Sequence, residues 1–267
     1  PMTTESNFIR EPESEYRAQS RSNLSSHSLA DFRRCPLLYK RKHIDDDIAN
    51  EDTPAYLLGR AAHTRILEGE LKYYRDYAIG GPINPKTGKP YGVNTNAFAE
   101  WSAAIGKPVL TDEQSELIAN LAVGFCRNTN AVSLIADGIP EAVVRAEYCG
   151  MPCQSRIDFY SYERGIIDLK TCEDINWFEA DAKRYGYAYQ MAFYRSMVRI
   201  ATSKTVPVHF IAVEKREPFR CGVWRVDEQL LDNCESENAA AIERLKRYIE
   251  TDVWPTGFEE VRVFDPF

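Results

Sequence analysis

Three short segments rich in β-branched and aromatic residues follow one another in the middle of the chain, and they constrain the fold more than any other feature. They cover 142–149, 154–161 and 165–171, with turn residues between them. Two similar segments, 206–214 and 221–226, come after a helical stretch. Strands that alternate with helices in this way predict an α/β domain, with a central mixed β-sheet flanked by helices.

Helical periodicity predicts the elements around these strands. The expected helices are 55–70, starting after Pro54, 96–105, 112–128, 178–200 with a break near Gly186, and 227–250. Residues 1–24 are polar and mixed in charge, so we predict a disordered N-terminal arm there. The remaining residues, 25–267, are predicted to form a single domain, because no repeat or low-complexity linker divides them.

The net charge is −7, from 33 basic and 40 acidic residues. On average this argues against a nucleic-acid-binding protein, which usually neutralises phosphates with surplus Lys and Arg. The charges are unevenly placed, however, because part of the acidic surplus lies in a predicted loop, Asp45–Asp52. Basic residues gather near the motifs described below: Arg33, Arg34, Lys40, Arg41, Lys42, Arg60, Arg65, Lys183 and Arg184.

Membrane and secreted classes are disfavoured. No apolar run approaches the roughly 20 residues that a membrane helix needs, and the polar N-terminus predicts no secretory signal. Seven cysteines, an odd number, form no compact disulfide framework. We therefore expect a reduced, cytoplasmic protein without a membrane partner.

Two aspartates and a lysine alternate along the hairpin of the second and third predicted strands. Asp168 and Lys170 are two residues apart and share one face. Asp158 lies between the apolar Ile157 and Phe159, and it is expected to point away from both. If the strands pair through the short turn between them, Asp158 lies directly opposite Asp168. Two carboxylates about 5 Å apart repel each other, and a hard cation such as Mg²⁺, or alternatively Mn²⁺, removes that cost.

Two helical segments carry further polar groups at helical spacing. Gly59 and His63 are four residues apart, so the glycine leaves room to approach the imidazole, which can bind a metal when neutral. Gln190 and Tyr194 also share a helix face, and an amide with a phenol can orient a phosphate. The remaining histidines have no such context and are assigned no role: His27, His43 and His209.

Each motif also has a purely structural explanation. The hairpin can be a solvated face on which Lys170 screens two aspartates, since charges at alternate strand positions are common. His63 can be an ordinary histidine without a ligand. The helix of Gln190 and Tyr194 can be an amphipathic helix with an aromatic core face.

The order of the motifs carries more information than any one of them. The motifs come in a fixed order along the chain. The first residues are Ser28-Leu29, Phe32 and Cys35-Pro36, and then come G-x-x-x-H with L-E after it, R-I-D, I-D-L-K-T and Q-x-x-x-Y. This set resembles the PD-(D/E)xK nuclease superfamily, in its RecB-like branch. Within that branch it is most similar to the exonuclease VIII (RecE) type of phage and prophage nuclease. The resemblance extends over about residues 25–250.

The resemblance implies a restriction-endonuclease-like core and specific roles for the motif residues. Asp158 and Asp168 become catalytic carboxylates that bind the metal, His63 and the main-chain carbonyl of Leu169 become further metal ligands, Lys170 becomes the catalytic lysine, and Gln190 and Tyr194 become an auxiliary catalytic pair. Glu147 has no counterpart. Glu68 lies about 140° round an α-helix from His63 and is left out of the ligand set.

The resemblance implies a Mg²⁺-dependent deoxyribonuclease, with Mn²⁺ as the alternative metal. It would digest linear double-stranded DNA from an end, 5′ to 3′, in phage-type recombination, with a single-strand annealing protein as partner and a ring-like homo-oligomer as assembly. We expect its DNA affinity to depend on the divalent metal and on enclosure of the duplex.

Three alternatives to this interpretation stay open, and a fourth is disfavoured. The chain can be an inactive family member that serves as a DNA-binding or assembly module, a RecB-like nuclease for single-stranded DNA, or an unrelated α/β metalloenzyme acting on small acids. An iron–sulfur cluster is disfavoured, because only Cys221 and Cys234 follow the motifs, without a C-x-x-C pair.

Overall fold

The computed structural model describes residues 7–49 and 53–264. The helices are α1 (Glu13–Ala18), α2 (Ser26–Arg34), α3 (Pro36–Tyr39), α4 (Pro54–His63), α5 (Glu70–Asp76), α6 (Asn96–Ile105), α7 (Asp112–Cys126), α8 (Thr129–Leu134), α9 (Phe178–Tyr185), α10 (Tyr187–Thr202) and α11 (Glu228–Thr251). The strands are β1 (Ala78–Ile79), β2 (Val109–Leu110), β3 (Ile139–Tyr148), β4 (Met151–Ser161), β5 (Gly165–Cys172), β6 (Val208–Glu214) and β7 (Cys221–Arg225). Lys40–Ile44 and Thr64–Glu68 are π-helical, and Gln19–Arg21 and Ile175–Trp177 are 3₁₀ turns.

Five strands form a mixed sheet in the order β3-β4-β5-β6-β7. β5 and β6 pair in parallel, and the other neighbours pair antiparallel. A parallel pair needs a crossover connection, which α9 and α10 provide. β1 and β2 form a separate short parallel pair. The predicted α/β class, with a central mixed sheet flanked by helices, is confirmed.

Helices cover both faces of the sheet. On one face, α2, α10 and α11 pack over a core that includes Phe193 and Ile166. On the other face, α4 and α7 pack over a core that includes Leu121 and Ile167. The adjacent residues Ile166 and Ile167 thus enter opposite cores, as the alternation of a strand buried on both faces requires.

Local sequence signals set the helix ends. Pro54 is the first residue of α4, and the Thr53 hydroxyl accepts a main-chain N–H of its first turn. Thr111 and Gln114 cap the start of α7 reciprocally. Gly186, at φ 69°, separates α9 from α10. The predicted helices and the predicted break are therefore confirmed, except that the first helix turns π-helical at Thr64 and ends at Glu68 rather than at Glu70.

The N-terminal segment, residues 7–24, is ordered. The Phe8 ring stacks on Tyr160 with centroids 4.2 Å apart, and Ile9 exchanges two main-chain hydrogen bonds with Val143. The prediction of a disordered arm is therefore wrong for these residues, because scattered apolar side chains become buried once a sheet edge is available. Residues 1–6 of that arm, and 50–52 of the predicted acidic loop, lie outside the described residues.

No helix of residues 7–49 and 53–264 is long and apolar enough to cross a membrane. All seven cysteines are free thiols.

Candidate active site

The candidate site lies where β4 and β5 separate. The predicted register is correct as far as Phe159 opposite Ile167, where the pairing ends. One step further, the predicted pair of Asp158 and Asp168 does not form a ladder pair. Instead, the Asp158 carboxylate accepts a hydrogen bond from the main-chain N–H of Leu169, at 2.9 Å. A side chain thus takes the place of a main-chain partner, and the sheet opens at the acidic residues.

The side-chain alternation of β4 is interrupted at the same level. Ile157 packs into the core beneath α10, whereas Phe159 packs into the opposite core. Both would share a face in a regular strand, so the prediction that Asp158 points away from both is wrong. Glu141, which lies across from Asp158 between two paired positions of β3, has φ 52°. A non-glycine residue rarely adopts this left-handed conformation, and the irregular backbone explains the change of face.

Helix α4 brings His63 to the opened edge. Its Nδ1 lies 3.3 Å from Asp158 Oδ2. Burial lowers the pKa of His63, and although Asp158 opposes this, Lys170 acts in the same direction as burial. The imidazole is therefore neutral near pH 7, which is the form that binds metal ions. A Cβ added at Gly59 would meet no atom within 4 Å, so the surroundings of Gly59 are open.

Asp168 and Lys170 form a close ion pair on β5. Asp168 is 1% exposed, and Lys170 Nζ lies 2.5 Å from its Oδ2. Burial raises the pKa of Asp168 to about 7, with Lys170 opposing and Asp158 adding to the shift. Burial disfavours the charge on Lys170, but Asp168 and Asp158 outweigh it and its pKa is raised. The cationic lysine is thus fixed beside a carboxyl group whose pKa burial raises.

Helix α10 adds Gln190 and Tyr194, as predicted from their spacing. Gln190 Nε2 donates a hydrogen bond to Tyr194 Oη at 3.0 Å. Burial raises the pKa of Tyr194 well above its usual value, and Tyr16, Asp158 and Asp168 add to the shift. The phenol is therefore a neutral donor within electrostatic reach of both aspartates.

Glu141 is a site residue that the sequence patterns did not reveal. Its Oε2 lies 2.8 Å from Arg156 Nε, and it is across from Asp158. Burial raises the pKa of Glu141 to about 8, and Asp158 adds to the shift. Glu141 is the third residue of β3, and nothing in the sequence around it marks it as a site residue. Its place across from Asp158 becomes visible only once the register of β3 and β4 is known.

Glu68, which was left out of the predicted ligand set, lies within electrostatic reach of Glu141. The helix changes to π-helical turns over Thr64–Glu68, so each residue advances less around the axis than in an α-helix. The pKa of Glu141 is raised chiefly by burial and by Asp158, and Glu68 adds a smaller contribution. Glu68 Oε1 lies 3.1 Å from Lys72 Nζ. Glu147, in contrast, is exposed on β3 and has no part in the site.

His27 lies closer to the site than the sequence indicated. It is the second residue of α2, and its side chain keeps contact with solvent. Desolvation by the surrounding protein lowers the pKa of His27, with Lys170 acting in the same direction and Asp158 opposing. His27 is therefore within electrostatic reach of Lys170 and Asp158.

The donor set fits a hard divalent cation, although no three His, Cys, Asp or Glu side chains of residues 7–49 and 53–264 are spaced as a preformed metal site. Asp168 Oδ1 is buried without a hydrogen-bond partner, which is costly unless a ligand pairs with it. The carboxylates of Asp158 and Asp168 also repel each other, and a cation between them relieves both costs. These two residues, His63 and the Leu169 main chain are the groups that would hold it.

Many of the basic residues predicted near the motifs are paired with acidic residues of the chain. The ion pairs are Lys40–Asp252, Arg41–Asp47, Lys42–Asp31, Arg60–Glu13 and Arg65–Glu70. Arg33 lies over the Tyr189 ring and Arg184 over the Tyr185 ring. The surroundings of the site are therefore a balanced charge network, which is consistent with the modest net charge of the chain.

Residues 25–265 match the family model described as a PDDEXK-like domain of unknown function (DUF3799). The chain belongs to this family. The resemblance to PD-(D/E)xK proteins is thereby confirmed at the level of the superfamily, while the assignment to the RecE-type branch stays a prediction. No curated protein matches the chain in sequence.

Two solved structures match the chain, and the first of them shares its fold. A crystal structure from Eubacterium rectale, provisionally assigned as an exonuclease, superposes with a TM-score of 0.70 at 16% identity, over 97% of this chain and 96% of that chain. The structure of LHK-Exo in complex with dAMP superposes with a TM-score of 0.36 at 13% identity, over 89% and 95% of the two chains. The first comparison establishes the restriction-endonuclease-like fold, and the second score is too low to add to it.

Proposed function

We propose that this PDDEXK-like protein is a metal-dependent nuclease that hydrolyses phosphodiester bonds of linear double-stranded DNA from an end. The observation that carries the proposal is the pairing of Lys170 with buried Asp168, beside Asp158 and His63, at the point where β4 and β5 open. This combination of a fixed cation, two carboxylates and a neutral imidazole suits a reaction in which negative charge develops on phosphate oxygens.

The residues of the site divide the work of such a reaction. Mg²⁺ or Mn²⁺, when bound, supplies charge neutralisation and a water of lowered pKa. Lys170 carries a fixed positive charge that can hold the attacking water or a phosphate oxygen, while Asp168 holds Lys170 in place. Tyr194, oriented by the hydrogen bond from Gln190, offers a neutral donor that adds no charge to the site.

The finer features of the proposal rest on the motif resemblance and on the exonuclease assignment of the Eubacterium rectale protein. They are 5′ to 3′ polarity, a role in phage-type recombination with a single-strand annealing partner, a ring-like homo-oligomer and a cytoplasmic location. The balanced charges around the site support the expectation that DNA binding depends on the metal and on enclosure of the duplex.

The decisive experiment is digestion of linear duplexes labelled at the 5′ or the 3′ end, with Mg²⁺, with Mn²⁺ and with a chelator. We expect cleavage only with metal, and the two labels distinguish the direction of digestion. Single-stranded substrates in the same assay test the RecB-like alternative.

Lys170→Met provides the matched site variant. It keeps the length of the side chain and removes the charge, and the raised pKa of Asp168 lets that carboxyl take up a proton, so the fold is expected to survive. We expect cleavage to fall by about 10²–10³-fold, the usual cost of one preorganised electrostatic group. Lys246→Met, which removes a lysine paired with Glu243 far along α11, is the control. Wild-type cleavage by Lys170→Met, or no cleavage by the wild type with either metal, would contradict the proposal, and the second result favours a DNA-binding module.

A further inference from the structure

Two tyrosine rings lead from the candidate catalytic lysine to the protein surface. Lys170 Nζ lies 4.8 Å from the centre of the Tyr187 ring. The Tyr187 ring stacks on Tyr185, with centroids 5.8 Å apart and planes inclined by 26°. Gly186, between them, has φ 69° and turns the chain so that rings two residues apart face each other. Tyr185 is therefore held in a defined orientation rather than extended freely into solvent.

The outer ring of this pair contributes little to the core. Tyr185 is 60% exposed, so its aromatic surface is offered to solvent at the rim of the site. The Arg184 guanidinium lies over the same ring, 5.6 Å from its centre. Arg184 is exposed, so it can move aside for a base and pair with the adjoining phosphate. Lys183 and Arg184 occupy the last turn of α9. An oriented aromatic face bordered by positive charge is complementary to a nucleobase with its phosphate.

The spacing matches a nucleotide close to the scissile bond. The two separations together place the Tyr185 ring within 10.6 Å of Lys170 Nζ. Nucleotides of one strand follow each other at about 3.4 Å along a duplex. A base on Tyr185 would therefore lie within about three nucleotides of a phosphate held at Lys170.

We propose that Tyr185 is a stacking platform for an unpaired base at the DNA end, and that Tyr187 positions its ring. This inference rests on the proposed nuclease function and specifies which part of the substrate the protein recognises. Bases inside a duplex are already stacked on both faces, so only a terminal or unpaired base has a free face for Tyr185. The protein then favours ends that fray or that carry a short single-stranded extension, irrespective of sequence.

A double-mutant cycle between the ring and the base tests the proposal. The probe is a fluorescent duplex with a three-nucleotide extension, either with normal bases or with abasic residues at those positions, and with phosphorothioate linkages to slow cleavage. Affinity is measured by anisotropy with Mg²⁺ for the wild type, Tyr185→Ala and Tyr185→Phe. Tyr162→Ala, which removes another exposed tyrosine in the β4–β5 turn, is the control.

We expect the wild type to bind the normal extension about tenfold more tightly than the abasic one, the scale of one aromatic–base stack. Tyr185→Ala should lose that tenfold and then bind both probes alike, whereas Tyr185→Phe and Tyr162→Ala should behave like the wild type. If Tyr185→Ala and the abasic residues each lower the affinity and the two losses multiply, Tyr185 does not stack on those bases. That result would overturn the proposed role of Tyr185 and leave the nuclease proposal intact. A wild type that neither binds nor cleaves any of the duplexes would overturn both.

Discussion

The carboxylate of Asp158 holds the main chain of Leu169. Asp158 Oδ2 accepts the Leu169 N–H at 2.9 Å, at the point where β4 and β5 part, and the same oxygen lies 3.3 Å from His63 Nδ1. One side chain therefore stabilises the opening of the sheet and stands among the groups suited to bind a metal. The two roles depend on different properties, because the hydrogen bond needs an acceptor oxygen and the metal needs a negative charge.

Two substitutions at this position separate the roles. Asp158→Asn keeps an acceptor for the Leu169 N–H, so we expect near wild-type stability. Asp158→Ala leaves that N–H without its partner, which costs about 1–3 kcal/mol in free energy of unfolding. Both variants should lose metal-dependent cleavage by at least about a hundredfold. Chemical denaturation and end-labelled digestion measure the two effects, and equal stability of the Asn and Ala variants would show that the hydrogen bond is not stabilising.

Glu141 supplies the second prediction. Its carboxyl lies across from Asp158, and a cation bound beside the aspartates would lower its raised pKa and favour the negatively charged form. Glu141→Gln keeps the size of the side chain and removes this charge, so we expect the affinity for Mn²⁺ to fall by about 10–100-fold, as for other groups that support metal ligands. Glu147→Gln makes the same change at an exposed position of the same strand and should bind Mn²⁺ like the wild type. Titration calorimetry measures the Mn²⁺ affinity of the wild type and the two variants. Identical affinities would show that Glu141 does not contribute to metal binding.

Much of the fold was predictable because its signals are local. Thr111 with Gln114, Pro54 and Gly186 each fix a helix end through interactions within a few residues. The short turn between β4 and β5 likewise set their register, which was correct as far as Phe159 opposite Ile167.

The remainder of the site depends on contacts between distant segments or on departures from ideal geometry. Glu141 joins Asp158 through strand pairing, and its left-handed backbone breaks the alternation from which the direction of Asp158 was inferred. Glu68 comes within electrostatic reach of Glu141 because the end of its helix is π-helical rather than α-helical. Ideal periodicities of 2 and 3.6 residues describe neither irregularity, and such irregularities concentrate at functional sites.

The ordered N-terminal segment leads to a third prediction. Phe8 is buried against Tyr160, and its neighbour Ile9 pairs with Val143 at the edge of β3. Phe8→Ala should release residues 7–24 by local unfolding, because a terminal segment detaches before the core loses its packing. We expect faster hydrogen exchange at the amides of Ile9 and Val143 and earlier proteolysis before residue 24. Phe258→Ala, at an exposed ring, is the control, and unchanged exchange in Phe8→Ala would show that the other contacts suffice to hold the segment.

A final prediction concerns the pH dependence of stability, through Glu214 at the end of β6. Arg220 donates two hydrogen bonds of 2.7 Å to its carboxylate, and the Ile175 N–H donates a third at 3.3 Å. The Arg220 hydrogen bonds lower the pKa of Glu214 below its ordinary value of 4.5. A carboxyl with a lower pKa in the folded state stabilises the protein above the unfolded pKa, and this contribution disappears as the pH falls through the folded pKa.

Glu214→Gln should therefore lower the melting temperature by a few degrees at pH 7, and its difference from the wild type should narrow below pH 4.5. Glu243→Gln, which breaks an exposed pair with Lys246, should change little at either pH, because exposed ion pairs stabilise weakly. Thermal denaturation of the three proteins between pH 7 and the lowest pH at which the wild type stays folded measures the effect. A difference between Glu214→Gln and the wild type that stays constant across this range would mean that the carboxylate charge does not stabilise the fold.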